Sequence, residues 1–120
     1  NEHSLKLDRP LFDLSLLETM SRGNDDFVNK MIAVFIDLAI ENIQKLEESL
    51  ANNDIESIKK TAHKIKPSIE QMGIKSLKEV IRKVEKYDLQ TGSKNELDML
   101  IGKIIGVLKT VTTSLKNYNP

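Results

Sequence analysis

Apolar residues recur at spacings of three and four along nearly the whole chain, whereas strand-like alternation is weak throughout. This spacing gives each segment one apolar helix face, which has to be buried against another segment. Four such stripes are separated by short breaks rich in Gly, Asn and Asp, and they run over residues 32–50, 58–72, 77–84 and 97–115. The pattern predicts an all-α fold, an antiparallel four-helix bundle of long amphipathic helices.

A short additional N-terminal helix is predicted before the bundle. Ser15 and Glu18 form a capping-box pattern that starts this helix, and Ser93 and Glu96 repeat the pattern at the start of the last helix. Gly73 is placed to end the third stripe in a left-handed conformation. We therefore expect residues 1–12 to be an N-terminal lead-in and residues 13–117 to form one helical bundle domain.

Composition narrows the classes of function. The chain has 120 residues, no cysteine, and 18 basic residues balanced by 18 acidic ones. Without cysteine there is no disulfide, thiol nucleophile or thiolate metal site. Zero net charge and only 4% aromatic residues argue against a nucleic-acid binder. No apolar run approaches the ~20 residues that span a bilayer, and no signal peptide is evident, so we expect a cytoplasmic monomer without membrane insertion.

One histidine lies on a polar helix face. His63 points about 140° away from the centre of the third stripe, and its neighbours on that face include Lys66 and Glu70. Periodicity alone favours an ordinary surface histidine. An exposed imidazole with a lysine one turn later is also a candidate nucleophile for a transferable phosphoryl group.

A carboxylate is predicted to lie level with this histidine. His63 precedes Gly73 by ~15 Å of helix rise and Glu85 follows it by ~18 Å. If the turn absorbs two residues, the two side chains stand side by side on adjacent antiparallel helices. Glu85 would then accept the Nδ1–H of His63 and leave the Nε2 lone pair exposed. The alternative is an ordinary surface glutamate.

The residues around His63 resemble a known signature. Ala62-His63-Lys64-Ile65-Lys66, followed by Ser68 and by Met72-Gly73, is similar to the Ala-His-x-Leu-Lys-Gly-Ser pattern of histidine-containing phosphotransfer (HPt) domains, which carry a Gly about ten residues beyond the His. Asp13-Leu14 and the segment 23–27 also resemble the family's opening helix and the start of its second. The similarity extends from about Leu11 to Leu115.

This resemblance implies a phosphorelay carrier in two-component signalling. His63 would be the phosphoacceptor, Lys66 would stabilise the phosphate, and Glu85 would orient the imidazole. The partners implied are response-regulator receiver domains and hybrid sensor histidine kinases. The chain itself would bind no cofactor and have no autokinase activity, because the receiver brings Mg²⁺ and most catalytic groups. A receiver would dock on the face around His63, and Leu17 and Met20 of the first helix are expected to be exposed and to join this docking face.

Position 67 departs from the signature, because Pro67 replaces the usual glycine. A proline inside a helix removes the hydrogen bond to the carbonyl of His63 and costs ~3 kcal/mol. A proline after a histidine also resembles the phosphoacceptor helix of sensor kinases, but Lys64 replaces their acidic residue and the chain has no nucleotide-binding segment. A non-catalytic helical interaction module, a degenerate relative of HPt domains, remains the alternative function.

Overall fold

The computed structural model describes residues 11–118, which form helices and no strand. The all-α prediction is therefore confirmed for this part of the chain. The helices are α1 (Ser15–Ser21), α2 (Asp25–Ala51), α3 (Ile55–Gln71), α4 (Lys78–Glu85) and α5 (Lys94–Lys116), with a 3₁₀ turn (Lys75–Leu77) leading into α4. Most of the predicted lead-in lies outside the described residues.

The helices pack around one apolar core. Helix α2 contacts α3 and α5, α4 contacts α3 and α5, and α1 lies against α2. The residues of the predicted stripes are buried in this core, apart from Leu50, which is partly buried. Each helix therefore buries the face that its sequence periodicity marks as apolar. In residues 11–118 no helix is long and apolar enough to cross a bilayer.

Three of the helices have a short polar residue as their N-cap. Each accepts a hydrogen bond from a backbone N–H of the first turn that has no partner within the helix. The pairs are Asn24 with the N–H of Phe27 (3.1 Å), Asp54 with that of Ser57 (3.1 Å) and Ser93 with that of Glu96 (3.0 Å). The cap predicted at Ser93 is thus confirmed.

The capping box predicted at Ser15 is wrong. Ser15 is the first residue of α1, and its N–H donates to Oδ1 of Asp13 at 2.9 Å. The Ser15 hydroxyl donates to the same oxygen. A carboxylate two residues earlier is the stronger acceptor and forms a local side-chain turn, so Asp13 takes the place expected for the serine.

Helix α4 is short and is preceded by the 3₁₀ turn. It spans only 8 residues and ends at Glu85. Tyr87, three residues after Val84, is still buried, but Asp88 is polar and exposed, and its carboxylate accepts the N–H of Gln90 at 2.9 Å. Aspartate favours such turns over helix interiors, so the chain leaves the helix here and continues as a loop over residues 87–92.

The expectation for the exposed face of α1 is half correct. Leu17 is fully buried, whereas Met20 and Leu16 are half-exposed. Leu14 and Leu17, three residues apart, pack on the core, whereas Leu16 and Met20, four apart, lie toward the solvent edge of this face. The exposed apolar pair of α1 is therefore Leu16 and Met20.

Candidate functional site

Helix α3 presents His63 to solvent. Its neighbours Ala62 and Ile65 are buried in the core, while the His63 side chain keeps 76% of its surface exposed. Consecutive helical residues are about 100° apart, so His63 points away from the buried face on which Ala62 and Ile65 lie. The imidazole is therefore accessible to a second protein without any rearrangement of the core.

One carboxylate from α4 bridges the two candidate residues of α3. Oε2 of Glu85 lies 2.6 Å from Nδ1 of His63, and Oε1 lies 3.0 Å from Nζ of Lys66. Glu85 is the last residue of α4 and its side chain is only 20% exposed. The structure thus brings together all three residues that the sequence singles out, with Glu85 between the imidazole and the ammonium.

The charge state of Glu85 follows from these contacts. Burial by itself would raise the pKa of the Glu85 carboxyl, but the hydrogen bonds from His63 and Lys66, with their charges, outweigh it and hold the pKa below its ordinary value of 4.5. An ionised carboxylate only accepts hydrogen bonds, so Nδ1 of His63 carries the proton. In the neutral ring this tautomer leaves the lone pair on Nε2, to which no residue in 11–118 bonds.

Gly73 shapes the turn that sets α3 and α4 side by side. Its backbone is left-handed (φ +63°), as the sequence predicts. The segment before α1 passes directly over it, and the N–H of Asp13 donates to the carbonyl of Met72 at 3.0 Å. A Cβ at position 73 would lie 2.8 Å from Cβ of Asp13 and 2.9 Å from its backbone nitrogen. The sequence indicated the conformation of Gly73 but gave no sign of this close approach.

A second contact between α3 and the end of α4 was missed by the sequence reasoning. Nζ of Lys59, one turn before His63, donates to the backbone carbonyl of Tyr87 at 3.1 Å. The Tyr87 ring is buried, and its hydroxyl donates to the carbonyl of Ser93 at 3.0 Å. The only signal available in the sequence was a rare aromatic residue two positions after Glu85.

Beyond Lys66 the surface between α3 and α4 is strongly basic. A shallow groove of about 370 Å³ continues from Lys66 toward Gly73 over an apolar floor of isoleucines. Its charged lining consists of four cations and a single carboxylate: Lys66, Lys75, Lys78, Arg82 and Glu70. A negatively charged partner approaching His63 from this side would meet a favourable potential.

Helix α3 runs without interruption through Pro67, from Ile55 to Gln71. The proline has no N–H to donate to the His63 carbonyl, and no side chain in residues 11–118 donates to it either. The exposed ring thus sits in a helix interior without a visible compensation, so it should cost stability.

Replacing this proline with alanine is therefore expected to stabilise the protein. Alanine restores the missing hydrogen bond and removes the ring clash, which together outweigh the entropy that proline takes from the unfolded chain, for a net gain of ~2 kcal/mol. Pro67→Gly should gain about 1 kcal/mol less, because glycine is the poorer helix former. Urea denaturation measures both values. An unchanged midpoint for Pro67→Ala would contradict this account.

The bridging carboxylate should also make stability depend on pH. Because the folded-state pKa of Glu85 is below its ordinary value, its contribution is present above that value and is lost as the pH falls through the folded-state pKa. The free energy of unfolding of Glu85→Gln should thus be lower than that of the wild type above pH 4.5, and the gap should close as the pH falls below that value and through the folded-state pKa. Glu79→Gln, which removes an exposed carboxylate from the same helix, is the control. A gap that widens on acidification would contradict the assignment.

The fold and this arrangement define a class of protein: a small helical domain that displays one positioned imidazole. A family model for the Hpt domain matches residues 30–116, which is most of the chain. The chain therefore belongs to the Hpt domain family, and the resemblance noted in the sequence is confirmed. Hpt domains act as phosphocarriers in two-component signalling and interact with receiver domains. No curated protein and no solved structure gives a significant match.

Proposed function

We propose that this domain is a phosphorelay carrier that accepts a phosphoryl group on His63 from the aspartyl phosphate of a receiver domain and passes it on. The observation that carries the proposal is the 2.6 Å contact between Nδ1 of His63 and Glu85, combined with the high exposure of the imidazole. This contact directs the unprotonated Nε2 outward, and a neutral imidazole with a free lone pair is the form that attacks phosphorus.

The transfer step conserves atoms and charge. The Nε2 lone pair forms the N–P bond while the P–O bond to the receiver aspartate breaks, and the bonding electrons return to that carboxylate. The proton on Nδ1 stays in place, so the phosphorylated ring is an imidazolium. The Glu85 carboxylate offsets that positive charge. In the onward step the next receiver's aspartate attacks phosphorus, the N–P bond breaks, and its electrons return to Nε2, so the neutral imidazole is the leaving group.

Lys66 is the residue proposed to stabilise the phosphoryl group. Phosphoryl transfer needs in-line alignment and neutralisation of charge on the equatorial oxygens. Nζ of Lys66 lies 3.0 Å from Oε1 of Glu85, and 44% of the Lys66 side chain is exposed. The ammonium therefore has room to turn toward a phosphoryl group on Nε2 of His63. Glu85 would hold Lys66 close to the site until the phosphoryl group arrives.

The remaining chemistry is assigned to the partner. The receiver would supply the aspartate, Mg²⁺ and most catalytic groups, so this chain is proposed to bind no cofactor and to have no autokinase activity. Response-regulator receivers and the receiver of a hybrid sensor histidine kinase are the proposed partners. The monomeric state, the cytoplasmic location and the domain limits at residues 13 and 117 stay predictions.

An antiparallel course of the helices is also part of the proposal. Two cross-helix contacts support it: Ser49 near the end of α2 bonds Ser57 near the start of α3 at 3.0 Å, and Lys59 in α3 bonds Tyr87 just after α4. Short connections between consecutive helices favour this arrangement.

A transfer assay tests the function directly. The protein is incubated with a phosphorylated receiver and Mg²⁺, and acid-labile, base-stable phosphate is then measured on this chain. Label on this chain, with its loss from the receiver, is the expected result. Absence of label across several receivers of the same organism would contradict the proposal. It would favour the alternative, a non-catalytic interaction module. The observation behind that alternative is Pro67, which lies in the same helix as His63 and beside the docking face.

A further inference from the structure

The position of Glu85 is not secured by its own helix. Helix α4 has only 8 residues, and Glu85 is the last of them. Terminal turns of helices fray because their backbone groups lack partners within the helix. A carboxylate that has to stay within hydrogen-bonding distance of His63 therefore needs support from the residues that follow it.

That support is present two residues later, at Tyr87. Its carbonyl accepts the hydrogen bond from Nζ of Lys59, which ties the segment to α3 one turn before His63. Its ring is only 5% exposed, and its hydroxyl donates to the carbonyl of Ser93, the cap of α5. The end of α4 is thus tied to α3 on one side and to α5 on the other.

We infer that Lys59 and Tyr87 are positioning residues for phosphoryl transfer, which act by holding Glu85 against the imidazole of His63. The same helix therefore contributes the imidazole, the lysine that contacts Glu85 and the lysine that holds the end of α4. A shift of about 1 Å in a positioned group can cost up to ~100-fold in rate, so loss of this tie should reach the chemistry through Glu85. The kinetic consequence rests on the proposed function, whereas the effect on the His63–Glu85 contact does not.

The first measurement uses the unphosphorylated full chain. In the wild type, NMR of the His63 side chain should give a low-field Nδ1–H resonance, protected from exchange by the bond to Glu85. Lys59→Met should weaken that protection and broaden or remove the resonance, and Lys59→Arg, which can still donate to the Tyr87 carbonyl, should largely restore it. Lys83→Met removes an exposed charge from α4 near Glu85 and should leave the resonance unchanged.

The second measurement is the transfer rate from a phosphorylated receiver. Lys59→Met should lower the rate at saturating receiver by about tenfold and change the half-saturating receiver concentration by less than about twofold. Tyr87→Phe, which keeps the buried ring and loses only the hydroxyl bond, should show a smaller loss. Lys83→Met should match the wild type.

Two results would overturn the inference. One is an unchanged Nδ1–H resonance in Lys59→Met. The other is a loss confined to the half-saturating concentration, because that would make Lys59 a docking or phosphate-binding residue. If the wild type takes up no phosphate at all, the proposed function fails, and the NMR comparison still decides whether Lys59 holds Glu85 in place.

Discussion

Replacing His63 with glutamine is expected to abolish the acid-labile phosphate that the wild type acquires from a phosphorylated receiver. Glutamine keeps a polar side chain of similar reach, but its amide nitrogen has no free lone pair with which to attack phosphorus. The His63 side chain is largely exposed and lies outside the apolar core, so any loss of stability should be limited to its bond to Glu85 and the variant should still fold. Loss of label together with retained helicity and unfolding midpoint would identify His63 as the acceptor.

The control for this experiment is the chain's other histidine. The sequence contains 2 histidines, and His3 lies outside the described residues. His3→Gln should retain the full label. Label that persists in His63→Gln and disappears in His3→Gln would contradict the assignment, and label that persists in both would move the acceptor to a different residue type.

The core was predictable because a helix with apolar residues along one face has to bury that face, and the spacing of those residues is visible in the sequence. Ile104 and Leu108 lie four residues apart, and any helix that contains both has to bury the face they share. Helix starts at Asp54 and Ser93 were equally accessible, because a capping side chain and its partner N–H lie within three residues of one another. Local chemistry decides such features, and a local pattern therefore reveals them.

The wrong predictions arose where two local patterns compete or where distant packing decides. Ser15 carries a valid capping pattern, but Asp13, two residues earlier, is a stronger acceptor for the same donors. Leu17 was expected to be exposed, but the packing of α1 against α2 buries it. The spacing of apolar residues in a seven-residue helix does not say which of them that packing covers.

The geometry of the candidate site was partly predictable. Helix rise, with an allowance of two residues for the turn at Gly73, sets His63 and Glu85 level, and the structure shows the two side chains in contact. The bond of Lys59 to Tyr87 was not predictable, because its acceptor is a backbone carbonyl, a group that every residue has. The approach of Asp13 to Gly73 joins segments about sixty positions apart, and a single sequence gives no signal of that pairing.

Replacing Gly73 with alanine is expected to be the most destabilising single-methyl change in the described part of the chain. Alanine in the left-handed conformation costs ~1–2 kcal/mol. The added Cβ would also lie 2.8 Å from Cβ of Asp13 and 2.9 Å from its nitrogen, so backbone has to move, at a further cost of ~1–3 kcal/mol. We therefore expect the free energy of unfolding to fall by ~2–5 kcal/mol. Urea denaturation of the full chain measures it.

Gly23→Ala is the matched control for this loss. Gly23 is also left-handed (φ +84°), but a Cβ added there meets nothing within 4 Å. Its alanine variant should carry the conformational cost alone, ~1–2 kcal/mol. The difference between the two variants therefore isolates the contact between the segment before α1 and the turn that aligns His63 with Glu85. Equal losses in the two variants would mean that Asp13 moves aside freely, and that this segment does not help to fix the turn.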